Sequence, residues 1–260
     1  MNVSYSELAQ KMEPVIKQAG HIIRTYFRTG TPLQTKGKGS NDVTTAVDIT
    51  VEEFLKSRLT DLLGAAIHAE ESGKTEHGSD YAWVIDPLDG TTNFAHGIGY
   101  FCVSVALTKN DEPVIGVLYN PLLEEYFYAI KGKGAFCNKV KLALAEKDSL
   151  PLVVLGISHG RYDFYSRLFD LLGTDLKKRC VFRHFGAGAL DLAYVAAGRI
   201  QAVMYKSLKW WDVAAGLLLI QEAGGKMGQF DGNPISSKPG SVLAGTPRLY
   251  GQLLEIIKKA

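Results

Sequence analysis

Cysteine is scarce in this chain: three in 260 residues, Cys102, Cys137 and Cys180, scattered and odd in number. That excludes a disulfide framework and a thiolate metal site, and it fits a reducing compartment. Long apolar runs are missing too. No stretch approaches the ~20 residues of a membrane span. The N-terminal segment MNVSYSELAQKMEPVIKQAG has acids inside an amphipathic helical pattern, unlike a signal peptide. The expectation is a soluble, cytoplasmic protein. Charge of one sign is also lacking, with 29 Lys and Arg against 27 Asp and Glu. So small a surplus argues against a nucleic-acid partner. The six histidines show no pair at metal-ligand spacing and are read as surface or structural residues.

What is present is an ordinary globular composition, 46% hydrophobic and 22% charged, enough for one large domain or two small ones around a shared core. Residues 6–28 read as a helix, and a second runs from about Asp48 to Leu63 with Val51, Phe54, Leu55, Leu59 and Leu62 on one face. Between them, residues 35–48 are rich in Gly, Lys and hydroxyls and read as loop or short edge strand. AAIHAEES is a short strand breaking into a loop, and residues 81–86 open the next strand. From 100 to 130 the alternation YFCVSVALT, PVIGVLYN and EEYFYAI predicts an antiparallel meander; its run Tyr126, Phe127, Tyr128 reads as strand core. Beyond it, strand and helix alternate: PLVVLGIS, a helix at 161–172, KRCVFRHF, a helix at 187–197, IQAVMY, a helix at 211–223 and a last one from 247. The division falls near 150. Residues 1–150 form an N-terminal α+β region and residues 151–260 a C-terminal α/β region, and the two share an interface and one cleft.

The chemistry concentrates in WVIDPLDGTTNF, residues 83–94. Asp86 and Asp89 follow an apolar strand and flank the forced bend at Pro87, so both carboxylates can converge on one point. The bend leaves the Leu88 carbonyl outside any ladder. Hard cations such as Mg²⁺ take carboxylate, carbonyl and phosphate oxygens of this kind. Gly90 permits close backbone approach, and the amides of Gly90, Thr91 and Thr92 can face an anion if TTNFAHG opens a helical turn. An isolated DxxD is ordinarily an acid-capped turn, and Asp212 in KWWDVAAG is by itself an ordinary helix cap. The haloacid-dehalogenase arrangement needs one residue between its two acids, and here two intervene. Glu70 and Glu71, at the end of a predicted strand, add to the acidic set.

DPLDGTTNF, with AEES upstream, WWDVAAGLLLIQEAGG downstream and GSNDVTTAVD before them, resembles the inositol monophosphatase family of metal-dependent, lithium-sensitive phosphatases. The likeness runs from the first helix to the last. It implies a layered α/β/α/β/α sugar-phosphatase fold, with an antiparallel-rich first sheet and a smaller second one. It implies Mg²⁺ held by Glu70, Asp86 and the Leu88 carbonyl, and a second ion held by Asp86, Asp89 and Asp212. A third, weaker ion would sit near Glu70. Thr91, supported by Asp48, would orient the attacking water beside Glu70. The Gly90 and Thr91 amides would bind phosphate. Gly186, Ala187 and Gly188 would meet the alcohol portion, with Asp89 and Asp212 also facing the substrate. Lys36 matches a lysine of a mobile metal loop, and Trp210 and Trp211 are expected to pack the helix that carries Asp212.

The reaction so implied is hydrolysis of a small phosphate monoester by a homodimer, with inositol 1-phosphate first among substrates. Histidinol phosphate, fructose 1,6-bisphosphate and 3′-phosphoadenosine 5′-phosphate are rivals. A rival of another class is a protein-binding role, because some bacterial relatives are associated with RNA-processing and transcription complexes. The sequence departs from the family at one point. A glutamate that hydrogen-bonds inositol hydroxyls usually stands seven residues before the last metal-binding aspartate, and here that position is Tyr205, followed by Lys206. Lys206 and Lys209 suggest a substrate with a second negative group.

Overall fold

The chain begins with an amphipathic helix, α1 (Tyr5–Tyr26), capped by Ser4, which buries Leu8, Met12, Ile16, Ala19 and Ile23 on one stripe. The computed structural model describes residues 3–30, 34–35, 43–144, 153–157, 166, 170 and 180–259. Lys36, the expected division near 150 and almost all of the helix expected at 161–172 fall outside them. Strands β1 (Gln34–Thr35) and β2 (Val43–Thr44) pair antiparallel, in line with the short edge strand expected there. Helix α2 (Ala46–Leu62) starts with a capping box in which Thr45 and Asp48 satisfy each other's end of the first turn.

Eight strands then build one sheet: β3 (Ala66–Ala69), β4 (Gly73–Thr75), β5 (Tyr81–Asp89), β6 (Cys102–Lys109), β7 (Glu112–Asn120), β8 (Glu125–Ile130), β9 (Gly134–Cys137) and β10 (Val140–Lys141), in the spatial order β10-β9-β8-β7-β6-β5-β3-β4. Only β3 and β5 are parallel; the β6-β7-β8 meander is antiparallel. The short helix α3 (Thr91–Ala95) interrupts the path from β5 to β6. β5 to β8 bury residues of both alternations because both faces of that part of the sheet are covered, whereas the edge strands β4 and β10 are largely exposed. Trp83, Ile85, Val103, Val105 and Leu107 pack on α1 and α2. The alternating residues Val84, Cys102, Ala106 and Leu118 pack on the other side.

That other side is made by α4 (Gly188–Ala196) and α5 (Trp210–Glu222), and a five-stranded sheet lies beyond them. Its strands are β11 (Val153–Ile157), β12 (Cys180–Arg183), β13 (Ala202–Lys206), β14 (Lys226–Gly228) and β15 (Ser241–Gly245), ordered β12-β11-β13-β15-β14, and α6 (Pro247–Ile257) packs against β14 and β15. The layers are therefore α/β/α/β/α. In this second sheet β12-β11-β13 is parallel and β13-β15-β14 is antiparallel. The chain leaves α5 through Gly224 and Gly225, and β14 and β15 then pair as a hairpin with β15 inserted beside β13.

Two close approaches hold α5 to the large sheet. A Cβ at Gly116 on β7 would lie 2.6 Å from the Ala215 carbonyl oxygen, so only glycine lets that helix backbone touch the sheet. The Ser104 hydroxyl on β6 donates to the Trp211 carbonyl at 3.0 Å. These contacts set where the first turn of α5, and Asp212 in it, meets the end of β5.

Candidate active site

β5 loses register at its end: Asp86 faces Ser104, Asp89 faces Cys102, and Pro87 and Leu88 bulge out of the ladder. The Leu88 amide folds back onto the Asp86 carboxylate at 3.0 Å. Its carbonyl, outside the ladder as expected, accepts from the Thr91 hydroxyl at 3.0 Å. Gly90 then turns the chain with φ 93°, a left-handed conformation costly for other residues. A Cβ there would also lie 2.9 Å from the Tyr100 carbonyl oxygen and 3.1 Å from the Ala187 side chain. Helix α3 follows, and the first amides of a helix have no acceptor within it.

The Thr91 hydroxyl is also 2.8 Å from Asp48 Oδ1, which ties the bend to the start of α2. Asp48 is fully buried and takes the Thr45 amide and hydroxyl on its other oxygen. Burial raises its pKa above the ordinary carboxylate range, against the pull of the Thr45 and Thr91 hydroxyls. Glu70 reaches the same place from β3, its amide donating to the Ile85 carbonyl at 3.1 Å. Asp89 Oδ2 accepts from the Ala189 and Leu190 amides at 2.8 and 3.1 Å, which docks the first turn of α4. Asp212 stands in the first turn of α5 and accepts the Lys209 amide at 2.8 Å, so it is a cap as well.

Glu70, the pair Asp86 and Asp89, and Asp212 thus converge from three stretches of the chain, close enough for their charges to act on one another. Burial lifts Asp86 well above the carboxylate range, and the charges of Glu70, Asp89 and Asp212 lift it further. Burial and the charge of Asp212 raise Asp89, opposed by the Leu190 and Ala189 amides. Asp212 is pushed up to about 7 by burial and Glu70. Asp86 is close enough to Glu70 and Asp212 for their charges to disfavour its ionised form. Among the described residues no three acidic, His or Cys side chains stand ready around one point as a coordination shell. A divalent cation bound among these carboxylates would offset the mutual repulsion that raises them. An all-oxygen set of crowded carboxylates, Asp86 buried and Glu70, Asp89 and Asp212 half-buried, suits a hard cation and no soft one.

The expected residues Gly186, Ala187 and Gly188 lie beside this cluster. Gly186 is exposed with φ 81°, and Ala187 touches the turn at Gly90. Tyr205 is placed otherwise than the sequence reading supposed. It is buried, and its hydroxyl donates to Asp191 instead of offering itself to a substrate hydroxyl. The acid in that neighbourhood comes from α4, where a count back from Asp212 along β13 does not find it. Trp210 is buried as expected, while Trp211 is half-buried with its ring edge-on to His68.

Several residues that hold the site together escaped the sequence reading. Asp191 is fully buried and grips two phenols, Tyr100 at 2.5 Å and Tyr205; burial pushes it up to about 6 against those two bonds. Tyr100 in turn stacks on Phe185, the residue before Gly186. Asn93 donates to the Tyr100 and Phe185 carbonyls at 2.8 and 2.6 Å, joining the two halves of the chain through one amide. Glu52 accepts the Glu71 and Ser72 amides at 2.8 and 2.9 Å, fixing the loop that carries Glu70. Two of these had a legible signal. Glu52 adjoins core residue Val51, and Asp191 lies inside the apolar run GALDLAYVA. An acid on a core face needs a partner.

The profile of the inositol monophosphatase family matches residues 4–260. The chain belongs to that family. An inositol-1-monophosphatase of Mesorhizobium japonicum is 38% identical, over 98% of this chain and 97% of its own. A Nus factor SuhB of Pasteurella multocida is 36% identical, over 93% and 92%. The solved extragenic suppressor protein SuhB of Bartonella henselae superposes with a TM-score of 0.89 at 31% identity, covering 98% of this chain and 99% of that one. The α/β layering described above is the fold of this family, whose members are phosphoric monoester hydrolases. Among the described residues no helix is long and apolar enough to cross a membrane.

Proposed function

We propose that this chain hydrolyses a small phosphate monoester of a polyol or sugar, and that its cofactor is Mg²⁺, two to three ions per site. Glu70, Asp86, the Leu88 carbonyl, Asp89 and Asp212 are the residues assigned to hold it. The observation that carries the reading is the convergence of those four carboxylates beside the Thr91–Asp48 pair. Divalent ions bound there would offset phosphoryl charge and make water a better nucleophile. The chain's own role is positioning. Thr91 has one hydroxyl proton and two acceptors, Asp48 and the Leu88 carbonyl. When Asp48 takes that proton, the Thr91 oxygen can accept from an attacking water and aim it, with Glu70 alongside. The Gly90 and Thr91 amides are assigned to the phosphate, and Gly186, Ala187 and Gly188 to the alcohol portion.

Inositol 1-phosphate is the leading substrate, supported by the names of the relatives. Because the Tyr205 hydroxyl is committed to Asp191, Tyr205 serves as a wall and supplies no acceptor for inositol hydroxyls. Inositol 1-phosphate is therefore expected to be used but not preferred over a more acidic ester. A homodimer and a cytoplasmic location accompany the reading, supported by the family resemblance and the scarcity of cysteine. The Nus-factor name of one relative supports a second role in protein binding.

The test is phosphate release with and without Mg²⁺, for the wild type and Asp89→Asn. That substitution keeps shape and one acceptor while removing a charge, so turnover should vanish with the fold retained. Full activity in the variant or in excess chelator refutes the mechanism. A protein-binding role would survive the same substitution.

A further inference from the structure

Beside the carboxylate cluster lies a separate cavity of about 310 Å³, at the small end of the ~300–1,000 Å³ usual for ligand sites. Lys74, Lys209 and Lys238 line it, together with Ser237, His68 and Trp211. Four elements of the fold supply these groups. Lys74 on β4 is the cross-strand partner of His68 on β3. Lys209 caps α5, and Ser237 and Lys238 belong to the loop before β15. Among the described residues none of the three ammonium groups enters an ion pair. Two acids touch these walls: Asp111 accepts from the Ser237 hydroxyl at 3.1 Å, and Asp212 accepts the Lys209 amide at 2.8 Å. Three cations against two carboxylates leave the cavity with a positive excess.

Its position relative to the reacting centre is set by the chain. His68 precedes Glu70 by two residues, roughly 7 Å along an extended strand. Trp211 and Lys209 adjoin Asp212, whose ionised form the Lys209 charge favours. The spacing between the two phosphates of a small sugar or polyol bisphosphate is comparable. Trp211, half-buried and edge-on to His68 at 5.4 Å between ring centroids, gives the cavity one aromatic wall. Resting on the phosphatase reading above, we propose that this cavity is a subsite for a second phosphate carried by the substrate whose ester is cleaved at the carboxylate cluster. Lys206, singled out in the sequence beside Lys209, is not among its walls.

The test compares kcat/KM for fructose 1,6-bisphosphate and inositol 1-phosphate, with Mg²⁺, in the wild type and in Lys74→Gln/Lys238→Gln. Both substitutions lie away from the turn that bears Asp212. The bisphosphate-to-monophosphate ratio should fall on the order of ten- to hundredfold, the value of one or two charge-assisted bonds, and the fall should shrink at high salt. An unchanged ratio overturns the proposal and leaves only solvated lysines. If inorganic sulfate alters inositol 1-phosphate turnover through these lysines while the ratio stays put, the cavity takes a free anion and the substrate assignment fails. Should the wild type release phosphate from neither ester, the phosphatase reading fails on its own. The subsite is then judged by calorimetric binding of fructose 1,6-bisphosphate in chelator: a tenfold weaker affinity in the variant supports it, and equal affinity overturns it.

Discussion

Asn93→Ala is the sharpest probe of how the two halves of the molecule are joined. The Asn93 amide nitrogen donates one proton to the Tyr100 carbonyl and the other to the Phe185 carbonyl. Two acceptors on one side also settle which end of the side chain is nitrogen. Alanine would leave both carbonyls without this donor in a place where Asn93 itself is only 8% exposed. A buried polar group that loses its partner costs about 1–3 kcal/mol, and some water entry favours the lower half, so the pair should cost about 2–4 kcal/mol. For a chain of this size that lowers Tm by roughly 5–15 °C. The Phe185–Gly186 segment should also loosen, raising KM more than it lowers kcat. Thermal denaturation and steady-state kinetics with inositol 1-phosphate measure the two effects. A Tm within 2 °C of wild type, with KM unchanged, would refute the clamp.

Lithium should inhibit turnover uncompetitively, given the complete set Glu70, Asp86, Asp89 and Asp212; a titration at constant ionic strength with no loss of rate contradicts this. Asp191 has a folded pKa of about 6, above its unfolded value near 3.9, so its stabilisation is full below pH ~4 and is lost as pH rises through ~6. Between pH 5 and 8 that loss is about 1.4 kcal/mol, or roughly 3–6 °C in Tm. Asp191→Asn should remove that portion of the pH slope and leave the rest, which thermal melts at the two pH values will show. Tyr205→Glu should destabilise by about 3–5 kcal/mol, because it sets a second buried carboxylate against Asp191. Adding Asp191→Asn should recover at least half of that in the same melts, and no recovery would mean the two side chains do not interact.

Much of the site was legible in the chain because its signals are local. A Pro between two acids, a glycine in the left-handed region and hydroxyls opening a helix all act within a few residues. DPLDGTTNF therefore reveals its bend without a fold, and the β-rich alternation from 100 to 130 announces an antiparallel meander. The resemblance then assembled Glu70, Asp86, Asp89 and Asp212 into one set. Asn93, Asp191 and Glu52 stayed hidden because their meaning lies in partners up to 92 residues away. No periodicity reports such a pairing.

Tyr205 shows the same limit from the other side. Its chain position, seven before Asp212, is fixed by sequence, but the direction of its hydroxyl is decided by α4, which brings Asp191 to it. The antiparallel insertion of β15 in the small sheet was likewise decided by the turn after α5 and by which edge stood open for pairing. Lys74, Lys209 and Lys238 are three ordinary surface charges in the sequence, and only the packing of β4, α5 and the loop before β15 makes them the walls of one cavity. Local geometry can be read from neighbours along the chain, whereas charge and hydrogen-bond partners are set by distance in space.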